Sequence, residues 1–174
     1  MYEMKPNIFL PEERMDTKGA VKVTRRADAL RVNEEKWSKP LMAPGWMAMP
    51  SVIIERQNAL GLSPLDLNII LQIGTYWWTP DNKPHPSKKS IATAIGVKPR
   101  TVQRRIASME HHGLIHREER RIKGKGSKTN VYHFDGLIKA ALPFAKEKTE
   151  DIKRRTIENK KRLSRKRPIL SVVS

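Results

Sequence analysis

The feature that most limits how this chain can fold is a glycine turn between two short helical patterns. The first starts at Ser87, a hydroxyl residue suited to an N-cap, and brings Ile91, Ala92 and Ile95 to one side at helical spacing. The second opens with Pro99 and runs to His112, where Gly113 closes it. Proline suits a first helical position because the N–H it lacks would be unbonded there anyway. Glycine suits the position past the end because it enters the left-handed region without a Cβ clash. Between Ala94 and Pro99 stand only Ile95, Gly96, Val97 and Lys98, so the two helices are immediate neighbours.

The surrounding punctuation extends the pattern. Met47 to Met49 before Pro50 has the look of a short strand. Ser51 to Leu60 is expected as a helix with Val52, Ile53, Ala59 and Leu60 inward and Gly61 ending it. Ser63, Pro64 and Asp66 are a helix start: a cap, a proline in the first turn, and an acid near the positive end of the dipole. Leu65, Ile69, Ile73 and Trp77 form one stripe, joined by Leu62, Ile70 and Tyr76, and the run Thr79 to Pro84 should stop this helix. Leu114 to Ile122 and Val131 to Phe134 are strand-like around a basic loop. Asp135 is the expected cap of a last helix, with Leu137, Ile138, Ala141 and Leu142 as its stripe and Pro143 as its break or kink.

Helix, glycine turn and helix together are a helix-turn-helix, whose second helix lies in the major groove with its N-terminal residues at base edges. Val102, Ile106 and Met109 fall on one side of that helix and are assigned to the core with Val97. Arg100, Gln103, Arg104 and Ala107 fall on the other. Arginine can bridge guanine O6 and N7, and glutamine can bridge adenine N6 and N7, so Arg100, Gln103 and Arg104 are the candidate base readers. Thr101 and Arg105 on the flanks, and Lys98 before the helix, are candidates for phosphate. Ser87, Lys88 and Lys89 join them, because a helix N-terminus presents free amides and a positive dipole end.

The loop between the two strands is a basic wing. Arg120, Arg121, Lys123, Lys125 and Lys128 surround Gly124 and Gly126, a composition able to follow a backbone or enter a minor groove. It is no phosphate-binding P-loop, because Ser127 stands where glycine is needed before Lys128-Thr129. The fold class expected is mainly α with a small β-hairpin, an α+β winged helix-turn-helix with N- and C-terminal extensions. Its pieces are a flexible arm over 1–44, the DNA-binding domain over 45–135, and a helix and basic tail over 136–174. In the arm, Thr24 to Trp37 looks helical, with Ala27, Leu30 and Trp37 at rough three-to-four spacing.

The run from Pro86 to Ala92, then Gly96-Val97, Arg100-Thr101-Val102-Gln103-Arg104 and Gly113-Leu114-Ile115, resembles the helix-turn-helix of bacterial and phage regulators and of plasmid or phage replication proteins. Gly45-Trp46-Met47-Ala48-Met49-Pro50, followed by Leu62-Ser63-Pro64, is similar to the lead-in of such winged-helix proteins. The resemblance covers about half the chain. It implies the fold and DNA binding, and leaves regulator and replication protein as alternatives.

Composition agrees with a polyanionic partner: 35 Lys and Arg against 18 Asp and Glu give a net charge of +17. No apolar run approaches the ~18 residues of a membrane span, and no apolar segment follows a basic start as in a secretory signal. Cysteine is absent, which excludes disulfides and thiol chemistry. His111, His112, His116 and His133 invite a metal, but Gly113 breaks the helical spacing and no carboxylate completes a zinc set. Tyr76, Trp77 and Trp78 could stack single-stranded bases; beside an apolar stripe they are expected in the core or, for Trp78, at a subunit contact.

The expectation is therefore a repressor-like, sequence-specific binder of double-stranded DNA, located in the cytoplasm with the nucleoid, without cofactor and without enzymatic activity. It is expected as a homodimer built through the helix after Asp135, with a protein partner for either extension. A plasmid or phage replication initiator is the second reading, and a charge-driven structural nucleic-acid binder the third.

Overall fold

Local capping sets the helix boundaries, and three-dimensional packing then arranges the helices. The computed structural model describes residues 25–122 and 126–164. The beginning of the expected arm, Lys123 and Lys125 of the wing, and the tail from Arg165 lie outside those residues. Helices α1 (Arg25–Trp37), α2 (Lys39–Met42) and α3 (Ser51–Glu55) precede the central α4 (Pro64–Gly74), α5 (Lys88–Ile95) and α6 (Pro99–His111). Strands β1 (His116–Glu118), β2 (Arg121–Ile122), β3 (Gly126–Ser127) and β4 (Val131–His133) follow, then α7 (Asp135–Leu163).

A reciprocal box opens α4. Asp66 N–H donates to Ser63 Oγ at 3.2 Å, and Ser63 N–H donates to Asp66 Oδ2 at 2.8 Å. Ser87 caps α5 by accepting the Ser90 N–H at 2.9 Å, and Gly96 ends it at φ 80°, where a side chain would be strained. The Gly96 and Val97 amides both donate to the Ala92 carbonyl at 3.0 Å, folding the turn back on the helix it ends. Ile69, Ile73, Val102 and Ile106 are wholly buried where α4 and α6 meet.

The hairpin completes the wing. β1 pairs antiparallel with β4, with Arg117 opposite Tyr132, and β2 continues against β3 with Arg121 opposite Ser127. Tyr132 N–H also donates to the Pro84 carbonyl at 2.9 Å, which lays the lead-in to α5 beside β4. Pro84 and Pro86 can donate nothing back, so this contact does not grow into a third strand.

Several expectations need correction. Met47 to Met49 forms no strand and pairs with none among the described residues, and Gly74 leaves room for the Met47 side chain against α4. The helix from Ser51 stops at Glu55 and continues as turns; Leu60 is buried, Ala59 exposed. α4 ends at Gly74, before the proline-rich run, so Trp77 leaves the helix and packs on Phe134, ring centroids 5.6 Å apart. Asp135 is the first residue of α7 rather than its cap. Pro143 does not end α7: the carbonyl it leaves unbonded is that of Lys139, and both residues are exposed, so water can satisfy it. Apart from these corrections, Trp78 is partly exposed, and its ring lies 3.4 Å from where a Cβ on Gly45 would stand.

Candidate nucleic-acid interface

The two sides of α6 separate as the 3.6-residue period requires. Val102, Ile106 and Met109 are buried, whereas Arg100, Gln103, Arg104 and Ala107 are exposed on the opposite side. Thr101 and Arg105 lie between the two.

Arg105 has a use that its sequence position did not disclose. Its Nε donates to Asp66 Oδ1 at 2.7 Å, its Nη2 to Ser63 Oγ at 3.0 Å, and the guanidinium closes a further short contact on Asp66 Oδ2. Asp66 is 1% exposed and is the buried charged residue of this core. Burial pushes its carboxyl up, but the hydrogen bonds from Arg105 and Ser63 outweigh that and hold it below the usual carboxylate value. The residue expected on phosphate thus ties α6 to the cap of α4, and fixes the helix whose other side is exposed.

The start of α5 lies beside the exposed side of α6. Lys88 Nζ donates to Gln103 Oε1 at 3.2 Å, linking a candidate phosphate residue to a candidate reader across the turn. The Gln103 amide NH2 remains available as a donor. Ser87 Oγ is occupied within its own cap by Ser90, so its part is to start α5, whose Lys88 and Lys89 amides precede the first intrahelical bonds. Lys89 and Lys98 are exposed. Ser87, Lys88 and Gln103 line one wall of a cleft of about 490 Å3 whose other wall is the wing, with Arg117, Lys128 and Asn130.

Within the wing, Arg120 braces the loop: its Nε donates to the Thr129 carbonyl at 3.0 Å and its Nη2 to Thr129 Oγ1 at 3.3 Å. Lys128 N–H donates to the Arg120 carbonyl at 2.9 Å. The structure therefore brings Ser87, Lys88, Gln103 and Lys128 to one cleft, keeps Arg100 and Arg104 on the adjoining face, and turns Arg105 inward.

Arg117 is the cleft residue that the sequence did not single out. Its backbone N–H and its guanidinium donate to the two oxygens of Glu110, each at 3.0 Å, which clamps β1 to the end of α6. The alternation of β1 was the available signal, since it places Arg117 on the side opposite His116 and Glu118. His133 Nε2 lies 3.0 Å from Glu118 Oε2 and its ring 5.6 Å from that of His116. Among the described residues no group of side chains forms a metal cluster. No described helix is long and apolar enough to cross a membrane.

Two helices at a glycine turn, a third helix behind them and a basic hairpin in front define a winged helix-turn-helix of the DNA-binding class. Residues 60–115 match the family described as a helix-turn-helix domain. Among solved structures the chain is similar to the N-terminal domain of DnaD protein from Geobacillus kaustophilus HTA426, at 11% identity and TM-score 0.45 over 75% of this chain and 97% of that one. It is also similar to a possible transcriptional regulator from Methanosarcina mazei Go1, at 17% identity and TM-score 0.39 over 62% and 85% of the two chains. A further similarity is to the transcriptional regulator PA3341, at 19% identity and TM-score 0.36 over 73% and 80%. Comparison with curated protein sequences gives no match.

Proposed function

We propose that this chain is a sequence-specific binder of double-stranded DNA that regulates transcription by occluding a promoter. The observation that carries the proposal is the exposed side of α6, where Arg100, Gln103 and Arg104 stand together over a buried apolar side. Arginine and glutamine can each make bidentate bonds to base edges, worth about 1–3 kcal/mol of discrimination per pair. Lys88, Lys89, Lys98, Thr101 and the wing residues around Lys128 supply the phosphate contacts in this reading, which set register without reading sequence. Two copies occupy a palindrome with half-site centres about 34–36 Å apart, assembled on DNA that neutralises their mutual repulsion.

The test is selection of binding sites from random duplex DNA at fixed salt, with the Arg100→Ala/Arg104→Ala variant alongside. An enriched palindrome that the variant no longer prefers supports the reading. Absence of any enriched sequence, with the variant binding as well as the parent, replaces it by charge-driven binding. A replication role is the second reading, favoured by the long exposed stretch of α7, a means of holding another protein near the bound DNA. Enrichment at an origin rather than a promoter would select it.

A further inference from the structure

We infer that α7 is a docking helix for an acidic amphipathic helix of another protein, and is unsuited to pairing with a second copy of itself. Along its length α7 carries a seam left largely uncovered by the rest of the described chain. Ile138, Leu142, Ala145, Thr149, Ile152, Thr156, Asn159 and Leu163 fall at alternating steps of four and three residues; Ala145 packs against the core, and the rest of the row is exposed. Ile138 is 44%, Leu142 49% and Ile152 56% exposed, an open apolar row on the solvent side of the helix. Leu137 and Ala141 meanwhile face the core.

The charges on either side of the seam identify what can cover it. Along one edge, one residue after each second seam position, stand Lys139, Lys146, Lys153 and Lys160. Along the other edge stand Lys148, Arg155 and Arg162. The acids Glu147, Glu150, Asp151 and Glu158 lie away from the seam. Paired helices meet edge to edge beside their seam, and charges there set partner choice. A second copy would bring Lys and Arg against Lys and Arg whether it ran parallel or antiparallel. A helix with glutamates along both edges would neutralise both rows while covering the apolar residues.

One of these cations already behaves this way. Lys148 closes on both carboxylate oxygens of Glu55 at 2.6 Å, an acid of α3 that lies against the proximal part of the seam edge. The cations further along α7 have no such acid from another element within ion-pair distance among the described residues. Nucleic acid would match the basic rows but would leave the apolar row between them uncovered, so a protein helix fits better.

The experiment uses the full chain and three synthetic helical peptides of four heptads. The first has Leu and Ile in its seam and Glu on both edges; the second has the same Glu edges and an Ala seam; the third has the apolar seam and Lys edges. Fluorescence anisotropy should show binding of the first peptide alone, weakened about tenfold by Leu142→Ser/Ile152→Ser and weakened further as salt rises. Both substituted positions are half-exposed, so the fold is expected to stay intact, and circular dichroism checks it. Sedimentation of the free chain should give a monomer. Equal binding of the first two peptides would overturn the inference, because charge alone would account for it. So would a free dimer that Leu142→Ser/Ile152→Ser dissociates. A third overturning result would be loss of DNA affinity in Lys146→Glu/Lys153→Glu with no change in binding of the first peptide.

Discussion

Helices α6 and α7 show two ways for a helix to exist in one chain. α6 has 13 residues and is held by its surroundings: one side is buried to the last atom at Val102 and Ile106, and Arg105 and Glu110 reach to α4 and β1. α7 has 29 residues but buries only Leu137 and Ala141 fully, and from Ile152 onward its side chains are exposed. Packing sustains the first; local propensity and pairs such as Asp151–Arg154 at 2.7 Å sustain the outer part of the second. The contrast teaches that the rigid helix is the one whose orientation must be exact for reading a groove, while the long one is free to meet a partner.

The sharpest way to break this contrast is to empty the core under α6. Ile106→Ala should cost about 2–5 kcal/mol in urea unfolding, through lost burial and a cavity beneath the exposed arginines. A cost below that range would mean that the core collapses around the gap, and that α6 is less firmly held than its burial implies.

The next largest effect belongs to the Asp66–Arg105 tie. Arg105→Ala leaves a buried carboxylate without its main partner and should cost about 1–3 kcal/mol at neutral pH. Because folding lowers the Asp66 value below its unfolded one, its contribution is complete above the ordinary carboxylate range and is lost as pH falls through the folded value. Between about pH 5 and about pH 2 the parent should therefore lose stability more steeply than an Asp66→Asn variant. Parallel acid limbs would remove Asp66 from the account.

The joint between the two regions gives a comparable test. Leu137 N–H donates to the Leu114 carbonyl at 2.8 Å, seating α7 on the turn that ends α6. At Gly136 a Cβ would overlap the Gly113 carbonyl, and backbone cannot swing aside as a side chain can. Gly136→Ala should destabilise by about 1–3 kcal/mol, the usual cost of forcing atoms into a packed site. The smallest effect is expected on the outer part of α7. Ile157→Ala, at 55% exposure, should stay within about 0.5 kcal/mol by the same urea measurement. A larger loss would show that α7 packs on something in solution, and the contrast with α6 would shrink.

The sequence by itself determined what depends on a few adjacent residues. Ser63, Pro64 and Asp66 start α4, Ser87 starts α5, Gly96 turns, Pro99 starts α6 and Gly113 stops it, because caps and left-handed turns are settled within about four residues. The period of α6 likewise showed which of its sides is buried. Tertiary structure decided what joins distant residues: Arg105 to Asp66 across 39 positions, Tyr132 to Pro84, and Lys148 to Glu55 across 93. It also decided where local signals compete, ending α4 at Gly74 and carrying α7 past Pro143. Propensity offers several outcomes at such places, and only the neighbours present in the folded chain, or the water over an exposed carbonyl, make one of them lowest in free energy.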